Sequence, residues 1–302
     1  MSAPPVCLLP ERGVIEINGP DARDFLQALI TNDIERVTPD QAIYAALLTP
    51  QGKYLFDFLI AQWGESLLLD CEAARLPELI KRLTLYKLRS KVTIRDASGD
   101  FSVAAALGEA GLSALDLPPK PGAAQSREGG VVFTDPRLVA MGARLILPPP
   151  LLAPKVQAGP ASADAYHALR LELGLGEGSH DIAVEKYFLL EANFEELNGV
   201  DFKKGCYVGQ ELVSRMKHRG AVRKRLLPVT AEVPCPAPGT AIYANGREAG
   251  VVHSSLGQRG LAYIRLAELG DGTPLLAGDV NLTPAPPAWL TLHLPGKSHD
   301  QG

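Results

Sequence analysis

Residues 42–71, AIYAALLTPQGKYLFDFLIAQWGESLLLDC, hold three apolar runs divided by Pro50-Gln51-Gly52 and Trp63-Gly64-Glu65. Proline, glycine and small polar residues punctuate strands, and gaps this short join antiparallel neighbours. The segment therefore reads as an antiparallel meander. A meander here excludes the regular alternation of strands and helices that builds a parallel sheet, and the helical patterns found elsewhere make the class α+β.

Those patterns flank the meander. RGVIEINGPDARDFLQALITNDI, at 12–34, is a short strand, a Gly19-Pro20 break and a helix that places Phe25, Leu26, Leu29 and Ile30 on one face. A second helix is predicted over about 77–86, with Pro77 in its first turn and Leu79, Ile80 and Leu83 inward. KVTIRD and FSVAAAL read as further strands, whereas 113–128 and LPPPLLAP at 147–154 read as loops because they are rich in proline and glycine. SADAYHALRLELG is a helix capped by Ser162 and stopped by Gly174. From Leu226 onward short alternating runs, with an Asn245-Gly246 hairpin signal, predict a small β-barrel that ends in a frayed PGKSHDQG. The expected division is 1–225, as two interleaved modules, and 226–302.

Length and charge limit the function. A chain of 302 residues that is 46% hydrophobic can bury a sizeable core. Its net charge of −4 and pI near 5.9 argue against wrapping nucleic acid. The N-terminal stretch MSAPPVCLLPERG has no basic leader pattern and no long apolar run follows, so a cytoplasmic protein with no membrane partner is expected. Cys7, Cys71, Cys206 and Cys235 lie far apart and form neither a disulfide framework nor a metal knuckle, and six scattered histidines show no ligand spacing, so no metal site is expected. The glycines of GLGEGSHD lack the ending of a phosphate loop and read as a turn. Lys217, His218, Arg219, Arg223, Lys224 and Arg225 form a basic run of the kind that is most often a solvated face.

One segment concentrates reactive chemistry. In DFKKGCYVGQELVSRMKHRG, at 201–220, Cys206 follows Lys203, Lys204 and Gly205 and precedes a helical pattern that starts near Gly209. Nearby lysines and a helix N-terminus favour the thiolate, the nucleophilic and metal-binding form of cysteine. The plainer reading is a small buried hydrophobe in a turn.

KGCYVGQE at 204–211 resembles the signature of the YgfZ family of folate-binding, iron-sulfur-related proteins, which includes a mitochondrial assembly factor. GLGEG, EANFEELNGVDF and RMKHRGAVRKRLLPV resemble its flanking segments. The resemblance covers essentially the whole chain and implies an aminomethyltransferase-like fold of three modules around an opening for tetrahydrofolate. It also implies a role in assembling or repairing iron-sulfur clusters, in support of enzymes that include tRNA-modifying ones, through transient contact with iron-sulfur enzymes or assembly proteins. Its signature positions are Lys204, Gly205, Cys206, Tyr207, Gly209, Gln210 and Glu211, with Cys206 the functional thiol.

Two carboxylates are the candidates for folate. Glu172 in ALRLELG resembles the pterin-contacting glutamate of aminomethyltransferases, and a carboxylate accepts the paired N–H donors of a pterin edge. Asp57 stands where those enzymes carry an Asp-Asp pair, and Phe56 replaces its neighbour, which weighs against aminomethyl transfer. Strand alternation puts Leu55, Asp57 and Leu59 on one face, so Asp57 must be hydrogen-bonded or at a cavity edge. The expected function is a tetrahydrofolate-binding assembly factor. A folate-dependent aminomethyl or one-carbon transferase using Asp57 is the alternative, and a folate module with a merely structural Cys206 is the third.

Overall fold

In a computed structural model, described over residues 5–220, 222–269 and 272–292, two five-stranded antiparallel sheets face each other beside a closed barrel. The PGKSHDQG tail lies outside the described residues. In chain order the first part runs β1 (Val6–Leu8), β2 (Arg12–Asn18), α1 (Ala22–Gln27), β3 (Ile43–Leu48), β4 (Tyr54–Trp63), β5 (Ser66–Glu72), α2 (Leu76–Lys87), β6 (Thr93–Asp96) and β7 (Ser102–Leu107). It continues with α3 (Gly108–Ala114), β8 (Ala124–Arg127), β9 (Gly130–Thr134), β10 (Gly142–Leu147), α4 (Pro149–Ala158), α5 (Ala163–Leu173), α6 (Gly178–Asp181) and α7 (Gln210–Arg219). The barrel is formed by β11 (Lys224–Thr230), β12 (Ala241–Ala244), β13 (Arg247–Leu256), β14 (Arg259–Arg265), β15 (Leu275–Ala277) and β16 (Val280–Pro284).

The meander is β3-β4-β5, extended to β3-β4-β5-β2-β6; the second sheet is β1-β7-β10-β9-β8. One face of the first sheet packs on α1 and α2 through Ile15, Ile17, Leu69, Leu79 and Leu83. One face of the second packs on α3 and α4 through Leu112, Leu145, Leu147 and Leu152. The remaining two faces meet across a core that holds Val14, Leu68, Phe133 and Ile146, giving a helix-sheet-sheet-helix sandwich.

Two expected loops carry structure. Within 113–128 lie the end of α3 and the strand β8. LPPPLLAP opens α4, because prolines at the first helical positions lack only an N–H that would have no partner there. The Ser162 and Gly174 boundaries of α5 match the reading: Ser162 accepts from the Ala165 N–H at 3.1 Å, and Gly174 caps the end at φ 74°.

Alternation fails inside β4. The pairing with β3 slips after Leu47, so that Leu47 faces Phe56 while Leu48 faces Tyr54, and Leu55 is the extra residue of a bulge. Leu55, Phe56, Phe58 and Ile60 consequently share the helix side, and Tyr54 joins Leu59 on the other. The expected grouping of Leu55 with Asp57 is corrected by that inserted residue.

The same period of two carries charge into the interior. Arg12, Asp70 and Arg144 alternate with core residues of β2, β5 and β10, and all three are buried. Arg12 Nε donates to Asp70 at 2.6 Å, and Arg144 Nε lies 3.3 Å from the second Asp70 oxygen. Arg137 grips Asp135 through two donors, and Tyr166 bridges Arg144 to Glu177. Arg170 continues to Asp181 at 2.7 Å, and Ser254 of the barrel donates to Asp181 at 2.5 Å. Four arginines and four carboxylates thus connect both sheets, the α5–α6 segment and the barrel. GLGEGSHD, read as a turn, supplies Glu177, α6 and Asp181.

Burial alone raises the pKa of Glu177, but Arg12, Arg170, Arg137 and Arg144 outweigh it and hold the carboxyl at about 2, against 4.5 when unfolded. A depressed carboxyl stabilises the fold above its unfolded pKa, and that contribution is lost as pH falls through the folded value. The gap corresponds to on the order of 3 kcal/mol at neutral pH. We expect Glu177→Gln to lose about that much in urea unfolding at pH 7, with the difference from wild type shrinking between pH 4.5 and 2. An equal deficit at every pH would remove Glu177 as the titrating group.

Candidate functional site

The signature loop is tied to the first sheet before it reaches its cysteine. Asp201 accepts from the Lys203 and Lys204 N–H groups, and its own N–H donates to Thr31. Lys204 turns inward: its ammonium donates to the carbonyls of Gln27, Ile30 and Asn32 at 2.7–2.9 Å, where the chain leaving α1 has carbonyls to satisfy. Burial pulls this ammonium down to about 8. Lys204 is therefore an anchor, with its charge committed to backbone oxygens.

The glycines differ in role. Gly209 sits at φ 84° against the Pro50-Gln51-Gly52 turn, where an added Cβ would meet Thr49 O at 2.6 Å and Gly52 Cα at 3.0 Å. Gly52, at φ 72°, faces it with a little more room, an added Cβ meeting Gly209 O at 3.0 Å and Leu212 Cβ at 3.1 Å. A β-carbon on Gly205, by contrast, meets nothing within 4 Å, so the backbone beside the sulfur is not closely packed there. Tyr207 is buried in the inter-sheet core, Val213 and Met216 seat α7, and Gln210 starts that helix half-buried. Glu211 is exposed and pairs with Arg215 one turn on.

Cys206 is exposed between these anchors. Cys7 and Cys71 are buried and Cys235 is partly so; burial raises all three thiols, that of Cys71 to about 12. Among four cysteines, one thiol stands in solvent on an immobilised loop.

The folate candidates do not converge. Asp57 is 5% exposed, and both its oxygens are taken, by Tyr44 at 3.0 Å and by Tyr54 at 2.6 Å. The β4 bulge is what brings Tyr54 to that face. Burial pushes the Asp57 carboxyl upward, while Arg12, the two hydroxyls and Arg137 oppose it. Glu172 is exposed on α5, 3.9 Å from Arg259 of the barrel. Helix phase turns it to solvent: Tyr166 and Arg170 define the inner face, and two residues past Arg170 the helix has turned outward.

Cavities of about 440 and 450 Å³ approach the interior. The first lies between the β2–β5 edge, α5 and β13, with Arg12, Glu72, His167 and Glu177 in its wall, and Glu11 nearby keeps a buried oxygen without a hydrogen bond. The second ends on Tyr44 and has no carboxylate in its lining. Neither is lined by Asp57 or Glu172. Among the described residues no group of three histidine, cysteine or acidic side chains is arranged for a metal ion. In the basic run Lys217 pairs with Glu195, Arg225 pairs with Glu196 and Lys224 lies over the Tyr263 ring, while His218, Arg219 and Arg223 are exposed.

Comparison with known proteins identifies the architecture. Residues 11–114 match the GCVT N-terminal domain and 223–292 the CAF17 C-terminal beta-barrel domain. The mouse mitochondrial iron-sulfur cluster assembly factor IBA57 is 35% identical over 278 residues, covering 84% of this chain and 75% of its own. The human protein is 34% identical with the same coverages. The chain belongs to the IBA57 family.

The glycine cleavage system aminomethyltransferase T of Bartonella henselae superposes with a TM-score of 0.78 over 96% of this chain and 87% of its own, at 18% identity, so the two share the fold. The YgfZ-type resemblance narrows to IBA57. The expected cytoplasmic location is overturned, since these relatives are named as mitochondrial. That no helix of the described residues is long and apolar enough to cross a membrane bears on membrane crossing alone and leaves the compartment open.

The IBA57-family loop makes a sharp contrast testable. Gly209→Ala is expected to lose more than ~1 kcal/mol and Lys204→Met roughly 2–3 kcal/mol, while Gly205→Ala stays within about 0.5 kcal/mol of wild type. Chemical denaturation of the three variants checks this; a destabilised Gly205→Ala would show that the loop is seated differently.

Proposed function

We propose that this chain is an assembly factor for iron-sulfur clusters that uses Cys206 as its one protein ligand or redox thiol toward the cluster it handles. The exposed sulfur of Cys206, held on a loop fixed by Lys204, Asp201 and Gly209, carries the reading. The cluster is cargo. A usual cluster shell needs four protein ligands, so one thiolate leaves the rest to a carrier, a thiol cofactor or the receiving enzyme. Partial ligation makes the contact transient and suits handover. Clients that include tRNA-modifying enzymes are part of the same proposal.

Aminomethyl transfer is not supported by any feature of the interior. Its assigned carboxylate, Asp57, is capped by two tyrosine hydroxyls. Tetrahydrofolate is likewise left out of the proposed role, because the two residues assigned to it are separately engaged or turned to solvent. Titration calorimetry with tetrahydrofolate is expected to show no saturable binding that Glu172→Ala or Asp57→Asn removes. A complex lost in either variant would restore the cofactor.

The decisive test is complementation. In cells lacking their own IBA57-type protein, wild type is expected to restore an iron-sulfur tRNA-modifying enzyme, while Cys206→Ala, at equal abundance and unchanged stability, is not. Equal rescue by both would end the thiol's role.

A further inference from the structure

The end of α2 departs from the electrostatics of the chain. Residues 79–95, LIKRLTLYKLRSKVTIR, contain six basic residues and no acid, in a protein of net charge −4. Arg95 is paired with Glu16 and Asp100, but among the described residues Lys81, Arg82, Lys87, Arg89 and Lys91 form no ion pair. The neighbouring Asp21 is occupied by the Lys91 N–H at 2.7 Å.

Two leucines stand out from this basic ring. Leu76, Leu79 and Leu83 anchor α2 to the first sheet, and Leu85, roughly 200° around the helix from Leu83, points to solvent at 65% exposure. Leu88 follows one turn later at 89% exposure. It is the cap residue, at φ 43° and ψ −108°, a conformation that glycine takes freely and leucine does not. Stability alone favours glycine or a polar residue there on both counts.

We propose that this tip docks the protein peripherally on an anionic lipid bilayer, with Leu85 and Leu88 entering the acyl boundary and Lys81, Arg82, Lys87, Arg89 and Lys91 meeting headgroup phosphates. A cationic, leucine-bearing helix end carries the two signals that interfacial binding needs, apolar insertion and attraction to anionic lipid. The depression beside it, formed by Asp21, Leu88, Arg89 and Ser90, is shallow and open and offers no groove for a partner helix. A rigid protein partner needs roughly 800 Å² of matched surface, whereas a fluid bilayer accommodates a convex tip. No helix of the described chain is long and apolar enough to cross a membrane, and surface docking requires none.

Sedimentation of the full chain with vesicles tests the proposal. Binding is expected to phosphatidylcholine vesicles that contain phosphatidylglycerol, to be weak to phosphatidylcholine alone, and to fall steeply with added salt. Leu85→Ser with Leu88→Ser, and separately Lys87→Glu with Arg89→Glu and Lys91→Glu, should each weaken it about tenfold or more. Leu88→Gly should match or exceed wild type in thermal stability while binding vesicles less well, a combination that a purely structural leucine would not produce. Equal binding to neutral vesicles, or unchanged binding by the leucine or charge variants, would overturn the proposal. So would leucine-independent binding that RNA or an acidic protein abolishes at low concentration, since the patch would then read polyanions in general.

Discussion

The pairing of Arg12, Arg137, Arg144 and Arg170 with Asp70, Asp135, Glu177 and Asp181 is the constraint to which the rest of the molecule conforms. Isolated, any one of these charges would be costly to bury; together they neutralise and hydrogen-bond one another. Their donors and acceptors come from β2, β5, β10, the β9–β10 connection, the α5–α6 segment and, through Ser254, the barrel. Separating the two sheets would strand charges, and displacing the barrel would take the Ser254 hydroxyl from Asp181 and Arg170. The network thereby adds charge pairing to the apolar core that the two sheets share, and both fix the register of the modules.

A fixed register also holds the signature loop. Lys204 and Asp201 bind it to the residues after α1, and Gly209 interlocks with Gly52 in the turn of the meander. The lysine beside the cysteine thus acts on backbone carbonyls, and the helix pattern after it seats Val213 and Met216. Anchored on both sides, Cys206 presents its sulfur from a position that a partner can approach without opening the fold.

Much of this architecture was legible. Periodicity located the meander and the major helices, Ser162 and Gly174 delimited α5, and Asn245-Gly246 marked a barrel hairpin. What was missed depended on partners distant in sequence. A slip of one residue between Leu47 and Leu48 decides that Tyr54 reaches Asp57, and no local pattern announces it. Arg144 in GARLIL and Asp70 in LLLDC look like interruptions of apolar strands; their mutual neutralisation exists only after the sheets pack. Motif resemblance points to Glu172, whereas Glu177 lies in a glycine-rich stretch that reads as a turn. Those glycines fit a close approach: a Cβ on Gly176 would meet Leu226 at 2.6 Å.

The shared fold with an aminomethyltransferase makes the interior chemistry instructive. A carboxylate that stabilises developing positive charge must stay ionised and reach its substrate. Asp57 meets neither condition comfortably: burial raises its pKa, and the hydroxyls of Tyr44 and Tyr54 occupy both oxygens. Tyr44 is further packed against Phe194, ring centroids 4.8 Å apart, so it is not free to swing away from the carboxylate. The interior that a transferase would use for a substrate is here given to tyrosine packing and paired charges. On the proposed function, reactive chemistry falls instead to the rim, where Cys206 is exposed on the signature loop.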